Sequence, residues 1–341
     1  MRGKIVVSFL SAIENIIPKA IVVSDGHREA MKYTTADKIQ VPILELSDLL
    51  KIENKASAIF INTVVSGKET VEALLMEREF QTAALPDRWI EEISGIYEDY
   101  YFKKIDIDFQ KEILEFKNVK CYNPAFIKKE WKHLVFETMG DEIIVPIYDD
   151  YSLMVDGAYE YEEVVCKKND IVIDAGANVG LFACYAAEKG CKVFACEPSS
   201  QALEVLHKQK LLYKNIEIID KGLSDYDGKV SFYESENCEL SSIGLPRGNV
   251  KKCVIDVTTI DSLLEKGIIP RVDYIKADIE GAERDALRGA VKAMKKYAPK
   301  LAICTYHYPD DKKLLETIIK SANPNYVVKH KWRKLFAYVP D

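Results

Sequence analysis

An acid and two glycines follow an apolar run in the segment DIVIDAGANVG, residues 170–180. Gly176 and Gly180 permit a tight turn and a close approach of the backbone to a ligand, because glycine adopts conformations that other residues avoid. The phosphate-loop spacing GxxxxGK(S/T) is absent, and so is the dinucleotide fingerprint GxGxxG, since Asn178 stands where its second glycine would be. The carboxylate of Asp174 would repel a pyrophosphate and suits a cationic ligand such as a sulfonium or ammonium group.

A second acid ends the next apolar run, VFACEPS, where Glu197 lies 21 residues beyond Gly176. A carboxylate at the tip of a second parallel strand can accept hydrogen bonds from both hydroxyls of a ribose. Alternatively, Glu197 is a surface acid before a helix capped by Ser199 or Ser200. Together with the glycine loop, Glu197 predicts a pocket for S-adenosylmethionine, with Asp174, Gly176, Asn178 and Gly180 on the methionine side.

The third apolar run, IEIIDKGLSD, ends in polar residues that should approach the adenine of this ligand. The candidates are Asp220, Ser224 and Asp225. Each could equally be the cap of a turn.

The run KADIEGAE brings two more acids, Asp278 and Glu280, to the tip of a central strand, where they should face the transferring methyl group. Glu283 either joins them or merely begins the next helix, where the helix dipole favours acids. An alcohol acceptor needs a general base, and the candidates are Asp278, Glu280 and His307 of CTYHYPDD. Alternatively, His307 is a loop residue with a structural hydrogen bond.

No metal site is predicted. A magnesium or calcium ion held by oxygen atoms of Asp278, Glu280, Asp310 and Asp311 is the minority alternative. Upstream of the glycine loop, Tyr159, Glu160 and Glu162 could close over the methionine end or the acceptor. A solvent-facing amphipathic helix would explain that segment equally well.

Alternating strands and helices must position these residues. Strands are predicted at 171–175, 193–197, 216–220, 273–278, 301–306, 325–330 and 334–339. Helices are predicted at 180–189, 200–213, 259–266, 281–297 and 311–321. The segment 227–235 opens with the hairpin signal Asp-Gly and then alternates. The last two strands have no helix between them, which predicts an antiparallel hairpin closing a parallel sheet.

The N-terminal block predicts a smaller α/β domain over residues 1–116, before a domain at 117–341. KIVVSFL, AIVVSD and ASAIFINTV are typical of short buried strands, with a strand or turn and helix at VPILELSDLLKI and a helix at 67–80. No GxGxxG turn follows these strands. Gly26 and His27 could line a pocket, but a loop turn is the favoured interpretation. Residues 88–118 are charged, aromatic and predicted helical.

Composition excludes several classes of protein. The net charge of −7 over 341 residues disfavours nucleic acid as a partner, and the basic cluster at 329–334 fits a solvated edge strand. The eight cysteines contain no CxxC pair and suit a reducing, cytoplasmic location. The sequence contains no run of about 18 apolar residues, so no membrane-spanning helix is predicted. The oligomeric state is not predictable.

Four segments of the sequence resemble the FkbM family of class I S-adenosylmethionine-dependent methyltransferases. They are VIDAGANVGLFACYAAEKG, VFACEPS, GLSDYDGKVSFY and, most diagnostic, YIKADIEGAERDALRGA. The resemblance covers about residues 140–310 and does not extend to the first 115. It implies a Rossmann-like C-terminal domain and O-methylation of a hydroxyl on a sugar, glycan or other small-molecule acceptor.

Three rival functions are considered. An amine or protein methyltransferase is disfavoured, because ADIEG stands where an aromatic-Pro-Pro-aromatic motif would be expected. A non-catalytic S-adenosylmethionine-binding module would be signalled by loss of Asp278 and Glu280, and both are present. A nicotinamide-dependent oxidoreductase is disfavoured by the glycine spacing.

Overall fold

The computed structural model describes four short N-terminal segments and most of the chain from residue 108 onward. The described residues are 21–23, 43–45, 59–62, 81–84, 108, 110–116, 118–131, 134–135, 158–235, 241–243, 250–331 and 333–340. Contacts within the chain divide it into two compact units, Met1–Asp106 and Ile107–Asp341. The boundary at 116/117 stays a prediction.

The first unit contains two pairs of parallel strands. Strand β1 (Ile21–Val23) pairs with β2 (Ile43–Glu45), and β3 (Ile59–Asn62) pairs with β4 (Gln81–Ala84). Parallel pairing is what the alternation of this block predicts, although β4 was not among the predicted strands. The predicted strand KIVVSFL, the predicted helices, Gly26 and His27 lie outside the described residues.

The second unit begins with an antiparallel hairpin, β5 (Ile113–Phe116) and β6 (Val119–Tyr122). The prediction of helix for 88–118 is therefore wrong at 113–116. Residues 113–116 pair with β6, and β6 has a distant partner, because the backbone N–H of Tyr122 donates to Oε1 of Gln209 at 2.7 Å, 87 residues away. Such a contact overrides local helix propensity and is invisible in a sequence window.

Ten further strands follow along the chain. They are β7 (Ile171–Ala175), β8 (Lys192–Cys196), β9 (Ile216–Ile219), β10 (Gly222–Leu223), β11 (Gly228–Ser235), β12 (Val250–Thr258), β13 (Tyr274–Ala277), β14 (Lys300–Cys304), β15 (Val327–Lys331) and β16 (Lys334–Tyr338). The central sheet has the order β15-β16-β14-β13-β7-β8-β9, and β10-β12-β11 form a second, small sheet.

Five neighbouring strands of the central sheet, β14, β13, β7, β8 and β9, are parallel. Strand β16 is antiparallel to both β14 and β15, so the predicted closing hairpin is confirmed. The chain continues from β7 to β8 on one side, whereas β13 lies on the other. This reversal opens a crevice at the carboxyl ends of β7 and β13, where ligands of such sheets bind.

Among the described residues, six α-helices connect the strands of the central sheet and the small sheet. They are α1 (Leu181–Glu188), α2 (Ser200–Leu212), α3 (Ile260–Glu265), α4 (Glu283–Arg288), α5 (Val291–Tyr297) and α6 (Asp311–Ala322). The single helix predicted at 281–297 is wrong, since it breaks between α4 and α5. At the break, a Cβ on Gly289 would lie 2.1 Å from the carbonyl oxygen of Ser224, so another loop occupies the space of a continuous helix.

The central sheet is buried on both faces. In β7, Val172 packs into one hydrophobic core and Ile173 into the other, as the two-residue period of a strand requires. All five residues of β7 are buried, including Asp174. The cysteines of the described part of the chain are free, and most are buried as small core residues. None of the described helices has the length and apolar character that a membrane span needs.

Candidate active site

The glycine loop connects β7 to α1 with several left-handed residues. Gly176 has a φ of 70°, Asn178 of 50° and Gly180 of 81°. Gly180 is also the N-cap residue of α1. The loop therefore turns as tightly as the sequence predicts.

Neighbouring parts of the chain explain why both positions need glycine. A Cβ on Gly176 would lie 1.9 Å from the carbonyl oxygen of Asp278, and one on Gly180 would lie 2.5 Å from Cδ1 of Leu206. The loop thus packs against the end of β13 on one side and against α2 on the other. The close approach to a ligand stays a prediction.

Asp174 lies in the interior and has a cationic partner within the chain. Its side chain is completely buried, and its Oδ1 atom lies 3.0 Å from Nζ of Lys276. Burial raises the pKa of Asp174, while Lys276 opposes that rise. The internal ion pair accounts for the acid without a cationic ligand, so direct ligand contact by Asp174 stays a prediction.

Lys276 is a site residue that the sequence analysis missed. Its Nζ donates to the carbonyl oxygen of Gly176 at 2.7 Å and of Ala175 at 3.3 Å. Burial lowers the pKa of Lys276, but the acids Asp174 and Asp278 more than offset this and raise it. The ammonium group therefore links the glycine loop to the acids at the tip of β13. The sequence feature that could have revealed Lys276 is its position as a charged residue in an otherwise apolar strand.

Glu197 lies at the tip of β8 and is 6% exposed. Its Oε2 accepts from the backbone N–H of Asn178 at 2.8 Å, and its Oε1 accepts from that of Ser199 at 2.8 Å. Burial raises its pKa to about 7, although both N–H groups lower it. Each carboxylate oxygen has two lone pairs, so acceptor capacity remains after these two bonds.

The three predicted adenine contacts have different surroundings. Asp220 is exposed at the end of β9. Ser224 is buried, and its backbone N–H donates to Thr258 at 2.9 Å. Asp225 is exposed and lines a polar cavity of about 330 Å³ with Arg288 and other residues. Their roles toward adenine stay predictions.

Asp278 follows β13 and is held by two tyrosines. The hydroxyl of Tyr159 donates to Oδ2 at 2.6 Å, and the hydroxyl of Tyr306 donates to Oδ1 at 3.0 Å. Burial raises the pKa of this carboxyl, but the positive charges of Lys276 and His307 outweigh it, so the pKa lies below its usual range. Asp278 is therefore an oriented carboxylate at neutral pH.

His307 and Glu280 lie beside Asp278, as the shared sheet edge predicts. The Nε2 atom of His307 is 3.4 Å from Oε2 of Glu280 and 3.8 Å from Oδ1 of Asp278. Its Nδ1 atom is 3.0 Å from Oε1 of Glu283. Burial lowers the pKa of His307, but these three acids more than offset it and raise the pKa to about 10. The three acids therefore favour the charged form of the imidazole, and the role of His307 as a general base stays a prediction.

Glu283 stabilises the turn that carries Glu280. Its Oε1 accepts from the N–H of Ile279 at 2.8 Å and its Oε2 from that of Gly281 at 3.1 Å. The side chain is fully buried. This arrangement supports the structural alternative for Glu283.

Asp310 and Asp311 bind Arg284. Oδ1 of Asp311 is 2.7 Å from Nε of Arg284, and Oδ1 of Asp310 is 2.5 Å from Nη2. Asp311 also accepts from the backbone N–H of Tyr308, at the start of α6. Both acids therefore have structural partners at the helix start.

Of the three residues named before the glycine loop, Tyr159 alone contacts Asp278 in the described structure. Glu160 accepts hydrogen bonds from the Tyr185 hydroxyl at 2.8 Å and from Lys189 at 2.6 Å. Glu162 pairs with Lys329 on β15. The predicted closing role of these two acids stays untested.

Comparisons with known proteins match the second unit of the chain to methyltransferases. Residues 174–326 match the family model of the Methyltransferase FkbM domain. The chain is 28% identical over 130 residues to hexuronic acid methyltransferase AglP of Haloferax volcanii. The aligned region covers 38% of this chain and 53% of that protein. It is 24% identical over 164 residues to methyltransferase sdnD of Sordaria araneosa, covering 38% of this chain and 63% of that one. Both matches span less than two thirds of the relative.

Among solved structures, the chain is similar to methyltransferase FkbM from Methylobacillus flagellatus KT. The identity is 17% and the TM-score is 0.45, over 94% of this chain and 89% of that chain. The family match begins at Asp174 and includes the glycine loop, Glu197 and the Asp278 cluster. Residues 174–326 of the chain are thus similar to the methyltransferase FkbM domain, as the sequence motifs predict.

Proposed function

We propose that this protein is an S-adenosylmethionine-dependent O-methyltransferase that acts on a hydroxyl group of a sugar, a glycan or another small molecule. One observation carries the proposal. The glycine loop and the acid cluster meet directly, since the Cα of Gly176 packs against the carbonyl oxygen of Asp278. A ligand on the loop would thus present its reacting group beside the acids.

The residues around the loop fit the adenosyl cofactor. Glu197 has acceptor capacity left at the tip of β8, which suits the two hydroxyls of a ribose. The Oδ1 atom of Asn178 is buried and has no hydrogen-bond partner among the described residues. A buried polar atom without a partner costs about 1–3 kcal/mol, so a ligand that donates a hydrogen bond to Asn178 would stabilise the loop.

When bound, the sulfonium of the cofactor supplies an electrophilic methyl group. The chain must then hold the acceptor oxygen in line with the methyl carbon and the sulfur, which supplies at most about 7–11 kcal/mol of barrier reduction. Asp278 and Glu280 are suited to accept a hydrogen bond from the acceptor hydroxyl and to take its proton. A positioned base contributes about 10²–10⁴-fold.

The tyrosines and His307 orient these two acids. The hydroxyls of Tyr159 and Tyr306 fix Asp278, and His307 places its ring between Asp278 and Glu280. In this role His307 supplies a positive charge between the two acids, because its pKa of about 10 favours the protonated ring at neutral pH. The general base of the reaction is therefore one of the two acids.

The Haloferax volcanii relative is named for a hexuronic acid, which supports a sugar acceptor.

Calorimetric titration of the purified chain with S-adenosylmethionine, S-adenosylhomocysteine and NAD tests the cofactor. Micromolar binding of both adenosyl ligands and no binding of NAD is expected, and Glu197→Gln should weaken binding by about tenfold or more. Glu217→Gln, on β9, is the matched control and should bind normally. If neither adenosyl ligand binds the unaltered chain, the proposed function is wrong.

Transfer of a labelled methyl group tests the acceptor. Glucuronic acid, glucose and a free amine such as glucosamine are offered in parallel, and the methylated position is determined by NMR. Methylation of a sugar hydroxyl is expected. Methylation of the amine alone would identify an N-methyltransferase, and binding without transfer to any acceptor would support a non-catalytic binding module.

A further inference from the structure

Three side chains at the tip of β13 bring one ligand atom each into a small volume. In the described residues, Asp278, Glu280 and His307 offer atoms that all lie within 4.8 Å of one another. The Nε2 atom of His307 is 3.4 Å from Glu280 and 3.8 Å from Asp278. Metal bonds of about 2.1 Å place adjacent ligand atoms about 3.0–3.4 Å apart, so small side-chain movements would complete this set.

The ring of His307 is the independent sign of a ligand. Its side chain is 0% exposed. Carboxylate oxygens surround the ring. Their distances and angles do not meet the geometry of a hydrogen bond, so neither ring nitrogen has a hydrogen-bond partner in the described structure. A buried polar side chain normally has such a partner. Nε2 instead points at the two acids, as a metal ligand would.

Further contacts hold the three side chains in place. Tyr159 and Tyr306 orient Asp278, and Glu283 lies 3.0 Å from the far nitrogen of His307. A carboxylate behind a histidine is a common outer contact of metal-bound imidazoles, since it fixes the ring and raises its basicity. Glu280 is held by a left-handed backbone, with φ of 54°.

We propose that Asp278, Glu280 and His307 bind one divalent transition-metal ion, such as Mn²⁺ or Zn²⁺. The imidazole ligand favours these ions over Mg²⁺ and Ca²⁺, which prefer oxygen alone. This set replaces the oxygen ligands considered from the sequence, because Asp310 and Asp311 bind Arg284. The use of the ion rests on the proposed function: it would hold and polarise the acceptor hydroxyl beside the methyl group.

Titration of the EDTA-treated full chain with Mn²⁺, followed by electron paramagnetic resonance, tests the site without cofactor or acceptor. One ion per chain is expected, and Co²⁺ should give visible absorption bands whose intensity reports the coordination geometry of the bound ion. Glu280→Gln and His307→Gln should each weaken Mn²⁺ binding by about tenfold or more. Asp310→Asn, on the exposed start of α6, is the control and should bind normally.

Thermal unfolding of each variant shows whether it is folded. Glu280→Gln is less disruptive to the fold than His307→Gln, because the side chain of Glu280 is 18% exposed and that of His307 is 0% exposed. Absence of Mn²⁺ and Zn²⁺ binding by the unaltered chain at about 1 mM, or equal binding by folded Glu280→Gln, would overturn the metal site. Methyl transfer that proceeds in EDTA would support the proposed function and would show that the ion has no part in the reaction. Metal binding by a chain that binds no adenosyl ligand would leave the site standing and the proposed function wrong.

Discussion

Lys276 and Asp174 form a buried ion pair across two neighbouring parallel strands, with 3.0 Å between Nζ and Oδ1. The pairing register places the two residues opposite each other at the carboxyl ends of β13 and β7. Lys276 also binds the carbonyl oxygen of Gly176. One side chain thus neutralises the buried acid and fixes the loop that begins beyond it.

Removal of the lysine charge should destabilise the fold strongly. Lys276→Met keeps most of the side-chain volume and leaves Asp174 buried with no opposite charge, which costs about 3–5 kcal/mol. Urea denaturation followed by circular dichroism measures this change in the free energy of unfolding. Lys276→Met combined with Asp174→Asn should recover part of the loss.

The matched control is Lys292→Met, which removes a lysine whose side chain is 73% exposed and paired with Glu265. An exposed pair contributes at most about 1 kcal/mol, so this variant should unfold almost like the unaltered chain. Equal losses in Lys276→Met and Lys292→Met would contradict the importance of the buried pair.

The affinity for S-adenosylhomocysteine should depend on pH through Glu197. Its pKa is raised to about 7 by burial. Ribose hydroxyls donate to the ionised carboxylate, so affinity should rise by up to about tenfold per pH unit between pH 5 and 7, and then level off. Calorimetry at several pH values measures this.

Glu197→Gln should bind more weakly, with little change between pH 5 and 8, because the amide does not titrate. Glu217→Gln should keep the pH dependence of the unaltered chain, since Glu217 pairs with Lys192 and Lys210 on the surface. A pH-independent affinity in the unaltered chain would show that Glu197 does not contact the ligand.

The strands of the central sheet and its closing hairpin could be predicted from local patterns. Residues 171–175 are apolar except for Asp174 and were predicted to form a strand. The structure has β7 at these residues. The absence of a helix between 330 and 334 predicted the closing hairpin. These features depend on short-range periodicity, which a single sequence displays.

Features that depend on distant contacts could not be predicted in this way. The strand at 113–116 pairs with β6, whose Tyr122 binds Gln209 of α2, and the break at Gly289 depends on the loop of Ser224. Sequence spacing brought Asp278, Glu280 and His307 to one edge, yet it missed Lys276 and Tyr306. The role of Lys276 follows from strand register, and that of Tyr306 follows from the path of the chain after β14. A local stretch of sequence shows neither of these features.

Alanine substitution at two glycines separates backbone strain from steric exclusion. Gly176 and Gly267 have nearly the same φ, 70° and 68°. A Cβ on Gly267 would meet nothing within 4 Å, whereas one on Gly176 would lie 1.9 Å from the Asp278 carbonyl oxygen. Gly267→Ala should therefore lose about 1–2 kcal/mol of stability from the left-handed backbone alone.

Gly176→Ala should lose this amount and about 1–3 kcal/mol more, because the loop and the tip of β13 must separate. The same denaturation experiment measures both variants. Equal losses would mean that the loop moves away from Asp278 at no cost.

Tyr159→Phe should weaken the fold in a pH-dependent manner. The variant keeps the ring contact with Phe182, at 5.3 Å between centroids, but removes the hydroxyl that donates to Asp278. A hydrogen bond to a charged group contributes about 1.5–3 kcal/mol. The pKa of Asp278 is lowered in the folded chain, so its ionised form stabilises the fold above the unfolded pKa, near pH 4, and this stability is lost as the pH falls.

The loss caused by Tyr159→Phe should accordingly be full at pH 7 and smaller near pH 3. Tyr326→Phe is the control, because Tyr326 is equally buried and donates to the neutral carbonyl oxygen of Pro299 at 2.8 Å. It should lose about 0.5–1.5 kcal/mol at either pH. If both variants lose the same stability at both pH values, Tyr159 contributes no charge-dependent hydrogen bond, and Asp278 would depend on Tyr306 and the nearby cations for its orientation.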